Sequence, residues 1–234
     1  MMYLCYSIFM KIPHNRFRCE PFEYSNDRWN YLEAKKVREH LSAANPTQAA
    51  LVIGAGTLPY TLDIMPKTVY VSDLNHGVID GVMRRSSQLI TDFSSWGEYE
   101  ASLPSTGKDE LAGAIESGLT GSFQEVKRKS STVDIRPVMG DIVTTAAEVR
   151  EQLNADGQVL TFVNFTNVAR YLSRPTVGQH KRHQIPNGRS ILAEVLTTLP
   201  LSDDALVCDS YASLKVQVLP AKHYVQVFGS TESS

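Results

Sequence analysis

Five short runs of β-branched and apolar residues, each separated from the next by a helix-patterned segment, leave this chain few folds to adopt. The runs are Ala49 to Ile53, Thr68 to Ser72, Val133 to Val138, Val159 to Asn164 and Ala205 to Asp209. Between them lie amphipathic stretches such as HGVIDGVMRRSSQLI, TTAAEVREQL and RSILAEVLTTL. Strands joined through helices pair side by side in the same direction, because a helical crossover returns the chain to the starting edge of the sheet. The expected class is α/β: a doubly wound, mostly parallel sheet of Rossmann type. The tail SLKVQVLPAKHYVQVFGS carries two alternating runs around Leu219-Pro220-Ala221, which predicts a strand pair with an antiparallel member at one edge.

The remaining segments read as additions to one domain, since 234 residues with 42% apolar content suffice for one sizeable core. Residues 1–46 form an N-terminal cap. Within it NDRWNYLEAKKVREHLSAANP predicts a helix started by Ser25 or Asn26, apolar through Trp29, Leu32 and Leu41, and followed by Pro46. Residues 91–131, rich in Ser, Gly and Glu, predict an insertion of one or two helices. The basic, proline-broken stretch SRPTVGQHKRHQIPNG is long enough for a binding loop. The apolar opening MMYLCYSIFM lacks basic residues before it and is too short to span a bilayer, so it reads as a buried segment. Cys5, Cys19 and Cys208 have no metal spacing and fit a reducing compartment, so a cytoplasmic protein is expected. A net charge of −2 and a pI near 6.3 give no general attraction to phosphate backbones. The expected partner is therefore a small molecule, without nucleic acid or membrane; the oligomeric state stays open.

The chemistry concentrates in LVIGAGTLPYTLDIMPKTVYVSD, Leu51 to Asp73. Gly54 and Gly56, with Ala55 between them, follow the first strand where the chain turns sharply, and their small size lets a ligand approach the backbone N–H groups. Asp73 ends the second strand, with Leu74 and Asn75 after it. In a doubly wound sheet this places its carboxylate beside the glycine turn, able to accept hydrogen bonds from two ribose hydroxyls. Glycine turn and aspartate together suit either NAD or S-adenosylmethionine (SAM). Pro59 stands where a dinucleotide site would carry a third glycine; it donates no hydrogen bond to a diphosphate, which favours a ligand without phosphates.

These motifs resemble the class I SAM-dependent methyltransferase superfamily from about Leu51 to Asp209. LVIGAG is similar to its first motif and VYVSD to its second, with Asp73 in the ribose role. VMGDI resembles the third, which implies that Asp141 meets the adenine amino group and Ile142 a neighbouring ring nitrogen. LTFVNFTNVARYL resembles the fourth, whose strand end approaches the reacting centre. Within the turn, GAGTLPYTLDI is similar to the Gly-x-Gly-x-Leu-Pro-x-Thr pattern of nicotianamine synthases, which transfer SAM's aminocarboxypropyl arm; the methyltransferase-like azetidine-2-carboxylate synthases close the same arm into a ring. The resemblance implies SAM as a substrate, and no metal-ligand set emerges from the sequence.

A sulfonium is held well by aromatic faces, and Trp29, Tyr31, Tyr60 and Tyr171 are candidates for that cage. Trp29 and Tyr31 on an amphipathic helix are more often core residues, whereas Tyr60 beside the glycine turn suits either role. Asn164 and Asn167 straddle the end of the fourth strand, where an amide could orient an acceptor amine; capping the next helix is the plain alternative for Asn167. His180 and His183, beside Lys181 and Arg182, read as a solvated basic loop. The expected enzyme consumes SAM by attack on its aminocarboxypropyl arm with release of methylthioadenosine. Methyl transfer to a small acceptor is the first alternative, followed by an NAD-dependent oxidoreductase and a SAM-binding protein without turnover.

Overall fold

The computed structural model describes residues 34–42, 48–54, 58–166, 168–172, 187–210 and 216–229. In chain order the elements are α1 (Ala34–Ser42), β1 (Gln48–Ile53), α2 (Leu58–Thr61), β2 (Thr68–Asp73), α3 (His76–Thr91), α4 (Trp96–Ser102), α5 (Ser105–Glu116) and α6 (Phe123–Ser130). They continue with β3 (Asp134–Met139), α7 (Ile142–Ala155), β4 (Val159–Thr166), α8 (Val168–Leu172), α9 (Gly188–Thr198), β5 (Leu201–Ser210), β6 (Val216–Pro220) and α10 (Ala221–Phe228).

The six strands among the described residues join one sheet of order β3-β2-β1-β4-β5-β6. Every pairing is parallel except β5 with β6. The winding direction reverses between β1 and β4, which makes their carboxyl ends the switch point at which such sheets receive ligands. Side chains alternate across the sheet with the strand period. Ala50, Val52, Val69, Val71 and Phe162 pack with α1 to α6 on one face, and Ala49, Leu51, Tyr70, Val163 and Phe165 with α7 to α10 on the other. In β4 the register shifts between Leu160 and Phe162, so Thr161 is an extra residue opposite β1. That bulge sends Leu160 to one face and Phe162 to the other, although two residues apart they would otherwise share a side. The edge strand β3 tolerates Pro137 because a proline removes only a donor that faces outward there.

Two expectations are corrected. The tail forms β6 as an antiparallel strand, but the second run is the helix α10. Ala221, Tyr224, Val225 and Phe228 all pack into the second face. Their spacing is helical, and Pro220 stands at the N-cap, where its missing N–H costs nothing. The insertion holds three helices, α4, α5 and α6, where one or two were expected. The helix after the glycine turn is only the four-residue α2. Of the cap, the structure describes α1; Trp29, Leu32, Cys5 and Cys19 lie outside the described residues, and Cys208 is a buried thiol. Among the described residues no helix is long and apolar enough to cross a membrane.

One buried ion pair closes the second face. Asp209, 1% exposed at the end of β5, accepts from Arg189 Nε on α9 at 2.6 Å and from the Tyr224 hydroxyl on α10 at 3.4 Å. Burial and the adjacent carboxylate push the Tyr224 phenol well above its ordinary range. The Arg189 guanidinium also stacks on the Phe228 ring, 4.8 Å from its centroid. Removing one partner leaves a charge in a largely dry site. Asp209→Ala is expected to lower unfolding free energy by about 3 kcal/mol, the low end of the usual cost because Arg189 keeps 18% exposure. Urea unfolding followed by circular dichroism measures it, and a loss below about 1 kcal/mol would mean that water screens the pair.

Candidate functional site

The carboxyl ends of β1, β2 and β3 meet in a compact lattice of short links. Gly54 leaves β1 with φ of 68°, a left-handed conformation that suits glycine, and its N–H donates to the Ser72 carbonyl at 3.2 Å. Ser72 in turn donates its hydroxyl to the Gly140 carbonyl at 3.2 Å and lies 3.4 Å from Thr145 Oγ1. The Gly140 N–H donates to the Asp73 carbonyl at 3.0 Å. Gly140 has φ of 146°, and a Cβ there would fall 2.7 Å from the Thr145 methyl. The ends of β2 and β3 are thereby held to each other and to the first turn of α7.

Two carboxylates stand on this lattice. Asp73, half-buried, ends β2, and its Oδ1 accepts the Asn75 N–H at 2.7 Å. Asn75 caps α3 by accepting the Gly77 N–H at 2.9 Å. A serial pair of side-chain caps thus orients the Asp73 carboxylate. Asp141 caps α7, accepting the Val143 N–H at 2.9 Å. Burial raises its pKa above the ordinary carboxyl value, against the lowering effect of the Val143 N–H. Beside the carboxylates, Leu74 is 50% exposed and Met139 is 51% exposed. Met139 pairs with Asp73 in the β2–β3 register. Two acceptors rimmed by two large apolar side chains form a surface suited to a sugar and a flat heterocycle.

Met139, Ser72, Gly140 and Thr145 were not singled out from sequence. Strand alternation held the signal for Met139: Val138 is buried, so its successor points the other way. The Ile142 side chain is buried in the second face, so any ligand contact from this residue is through its main chain.

Other candidates fall elsewhere. Asn164 is buried, and its Oδ1 accepts both the Thr166 N–H, at 3.0 Å, and the Thr166 hydroxyl, at 2.5 Å. The Thr166 oxygen is also 3.6 Å from Cys208 Sγ. The amide oxygen expected to orient an acceptor is therefore taken by its own strand end. Tyr60 is 0% exposed and packs edge-on against Trp96 and Tyr99, at 6.3 and 6.2 Å between ring centres. It belongs to the core, and the aromatic-cage expectation is corrected there. Leu58, Pro59 and Thr61 are likewise buried, with the Thr61 hydroxyl donating to the Leu58 carbonyl at 3.2 Å. Packing and local capping account for the Leu-Pro-Tyr-Thr pattern. Tyr171 belongs to α8. Trp29, Tyr31, Ala55, Gly56, Asn167, His180 and His183 lie outside the described residues. Among the described residues no group of three or more His, Cys, Asp or Glu is arranged to hold a metal.

No family model matches this chain, and no curated protein matches it. Among solved structures, two of the rRNA methyltransferase aviRa from Streptomyces viridochromogenes are similar over 86% of this chain and 88% of theirs, at TM-score 0.45 and 11% and 12% identity. The glycopeptide N-methyltransferase MtfA, complexed with S-adenosyl-L-homocysteine, is similar over 86% of this chain and 63% of its own, at TM-score 0.35 and 13% identity.

The half-buried Asp141 carboxyl carries a pH signature. Because its folded pKa is raised, the folded protein holds this proton more tightly than the unfolded chain. The group's contribution to stability is complete below the unfolded value near 3.8 and is lost as pH rises through the folded one. Asp141→Asn retains an N-cap and carries no charge. Its melting temperature is expected to equal or exceed that of the wild type at pH 7, with the gap closing toward pH 4. Differential scanning calorimetry across that range checks this, and a variant that melts lower at pH 7 would refute it.

Proposed function

We propose that this chain is a SAM-dependent methyltransferase acting on a small molecule, with the SAM nucleoside seated on the carboxyl edge of β1, β2 and β3. The observation that supports this most directly is the pairing of the Asp73 and Asp141 carboxylates with exposed Leu74 and Met139. Asp73 accepts the ribose hydroxyls, Asp141 accepts from the adenine amino group, and the apolar pair flanks the purine. α2 is too short to direct a helix N-terminus at a diphosphate, which agrees with a phosphate-free ligand.

Methyl transfer is preferred to attack on the aminocarboxypropyl arm because the features that favoured the arm have structural explanations. The Leu-Pro-Tyr-Thr turn is buried, Tyr60 is a core ring, and the Asn164 oxygen is engaged by Thr166. In the reaction an acceptor lone pair attacks the methyl carbon in line with the sulfur. The C–S bond breaks, its electron pair neutralises the sulfonium, and the acceptor then releases a proton. SAM is already activated, so the site's work is alignment and exclusion of water. The expected exclusion of nucleic acid is not carried forward. It rested on a net charge of −2, which says nothing about a local basic surface.

Incubation with SAM and candidate acceptors, followed by chromatography of the thioether, is the direct test. S-adenosylhomocysteine is expected; methylthioadenosine would restore the arm reading, and failure to bind SAM by calorimetry would end both. Asp73→Asn keeps an oxygen for the Asn75 N–H but loses the charge, and is expected to weaken SAM about tenfold or more, as loss of a charge-assisted hydrogen bond does.

A further inference from the structure

Two hydroxyls lie beneath the candidate carboxylates, those of Ser72 and Thr145, and both residues are buried, so bulk water does not replace a lost partner. Each hydroxyl has one hydrogen to give. The Ser72 hydrogen goes to the Gly140 carbonyl at 3.2 Å, because a carbonyl can only accept. Thr145 Oγ1 has two acceptors in reach, the Asp141 carbonyl at 3.0 Å and Ser72 Oγ at 3.4 Å. The two lone pairs of that carbonyl are already taken by the N–H groups of Thr144 and Thr145, both at 2.9 Å, and the Thr144 hydroxyl competes for them at 2.8 Å. This count directs the Thr145 hydrogen to Ser72 and orders a relay from Thr145 through Ser72 to the Gly140 carbonyl. That carbonyl belongs to the peptide group leading into Asp141, while the Gly140 N–H is held by the Asp73 carbonyl at 3.0 Å. Both polar groups of Gly140 are thus tied to the end of β2, directly before the residue that carries the second carboxylate.

We infer that Ser72 is a positioning residue for Asp141: its hydroxyl, aimed by Thr145, fixes the Gly140–Asp141 peptide against β2 and so sets the separation of the Asp141 carboxylate from Asp73, the neighbour of Ser72 in sequence. Asn75 orients the Asp73 carboxylate through a separate bond, so the relay acts chiefly through Asp141. This deepens the function proposed above and rests on the reading of the two carboxylates as the acceptors of the SAM nucleoside. Their spacing, as well as their charge, is then a condition for binding.

The test uses the full chain and four variants: Ser72→Ala, Thr145→Val, Thr145→Ser, which keeps the hydroxyl, and Asp141→Ser, which keeps an N-cap without the carboxylate. Amide hydrogen exchange of the ligand-free protein over residues 140–145 reports the relay without reference to SAM. Exchange there is expected to speed up several-fold in Ser72→Ala and Thr145→Val, with β4 and α9 unchanged, and to return toward the wild-type rate in Thr145→Ser. By calorimetry the Kd for SAM is expected to rise about three- to tenfold in Ser72→Ala, the loss of one neutral hydrogen bond. Made in the Asp141→Ser background, the same substitution is expected to change Kd less than about twofold, because the carboxylate it positions is gone. Unchanged exchange over 140–145, an equal rise throughout the sheet, a Thr145→Ser protein as impaired as Thr145→Val, or a Ser72→Ala cost that is the same with and without Asp141 overturns the inference, even where the wild type binds SAM. A local rise in exchange in a protein that does not bind SAM upholds Ser72 as the residue that places Asp141 and removes the SAM reading instead.

Discussion

The main-chain hydrogen bond from Gly140 to the Asp73 carbonyl, with the Ser72 hydroxyl reaching the Gly140 carbonyl beside it, is the joint on which the candidate site depends. It holds the ends of two parallel strands in register at the one place where their ladder would otherwise fray. Two helices start immediately beyond it, each capped by a side chain from the connecting residues, Asn75 for α3 and Asp141 for α7. The Asp73 and Asp141 carboxylates are thus fixed by caps and turns that would exist without any ligand. The nucleoside proposed for this edge would gain from finding its acceptors already ordered, since their ordering need not be set against its binding.

Both faces of the sheet support this joint by different means. On the α7–α10 side the core is mostly aliphatic with Tyr70, Phe165 and Tyr224 buried among it, and the Asp209–Arg189 pair joins β5 to α9 while Tyr224 brings in α10. On the α1–α6 side the packing is aromatic, with Tyr60, Trp96, Tyr99, Phe93 and Phe123 in edge-on contact. Such pairs carry orientation as well as buried area. An aromatic cluster suits a region where the single turn of α2 has no stability of its own.

Much of the fold was legible because period-two burial and β-branched composition act over five or six residues at a time. Ala50 and Val52 against Ala49 and Leu51 show that alternation in both core clusters. That Asp73 ends a strand, with Leu74 and Asn75 just beyond it, was legible from the apolar run that precedes them. The tail was misread because Val225 satisfies both a strand and a helical spacing, and only contact of Tyr224 and Phe228 with the second core decides for the helix. Tyr60 was misread for a related reason. An aromatic residue next to a glycine turn faces either ligand or core, and nothing local distinguishes them.

From the sequence alone came the alternation of the five parallel strands with helices, the parallel winding and the glycine-then-aspartate pair, since these follow from local pattern and short-range spacing. Which face each aromatic and amide occupies was decided by tertiary structure. The insertion, more than thirty residues downstream of Tyr60, supplies the rings that bury it, and the Thr166 hydroxyl takes the Asn164 oxygen where β4 ends beside Cys208 of β5. Met139 becomes a partner of Asp73 only when β3 docks on β2 in its observed register. Burial and hydrogen-bond partnership are properties of the packed chain, so these assignments had to wait for the contacts that create them.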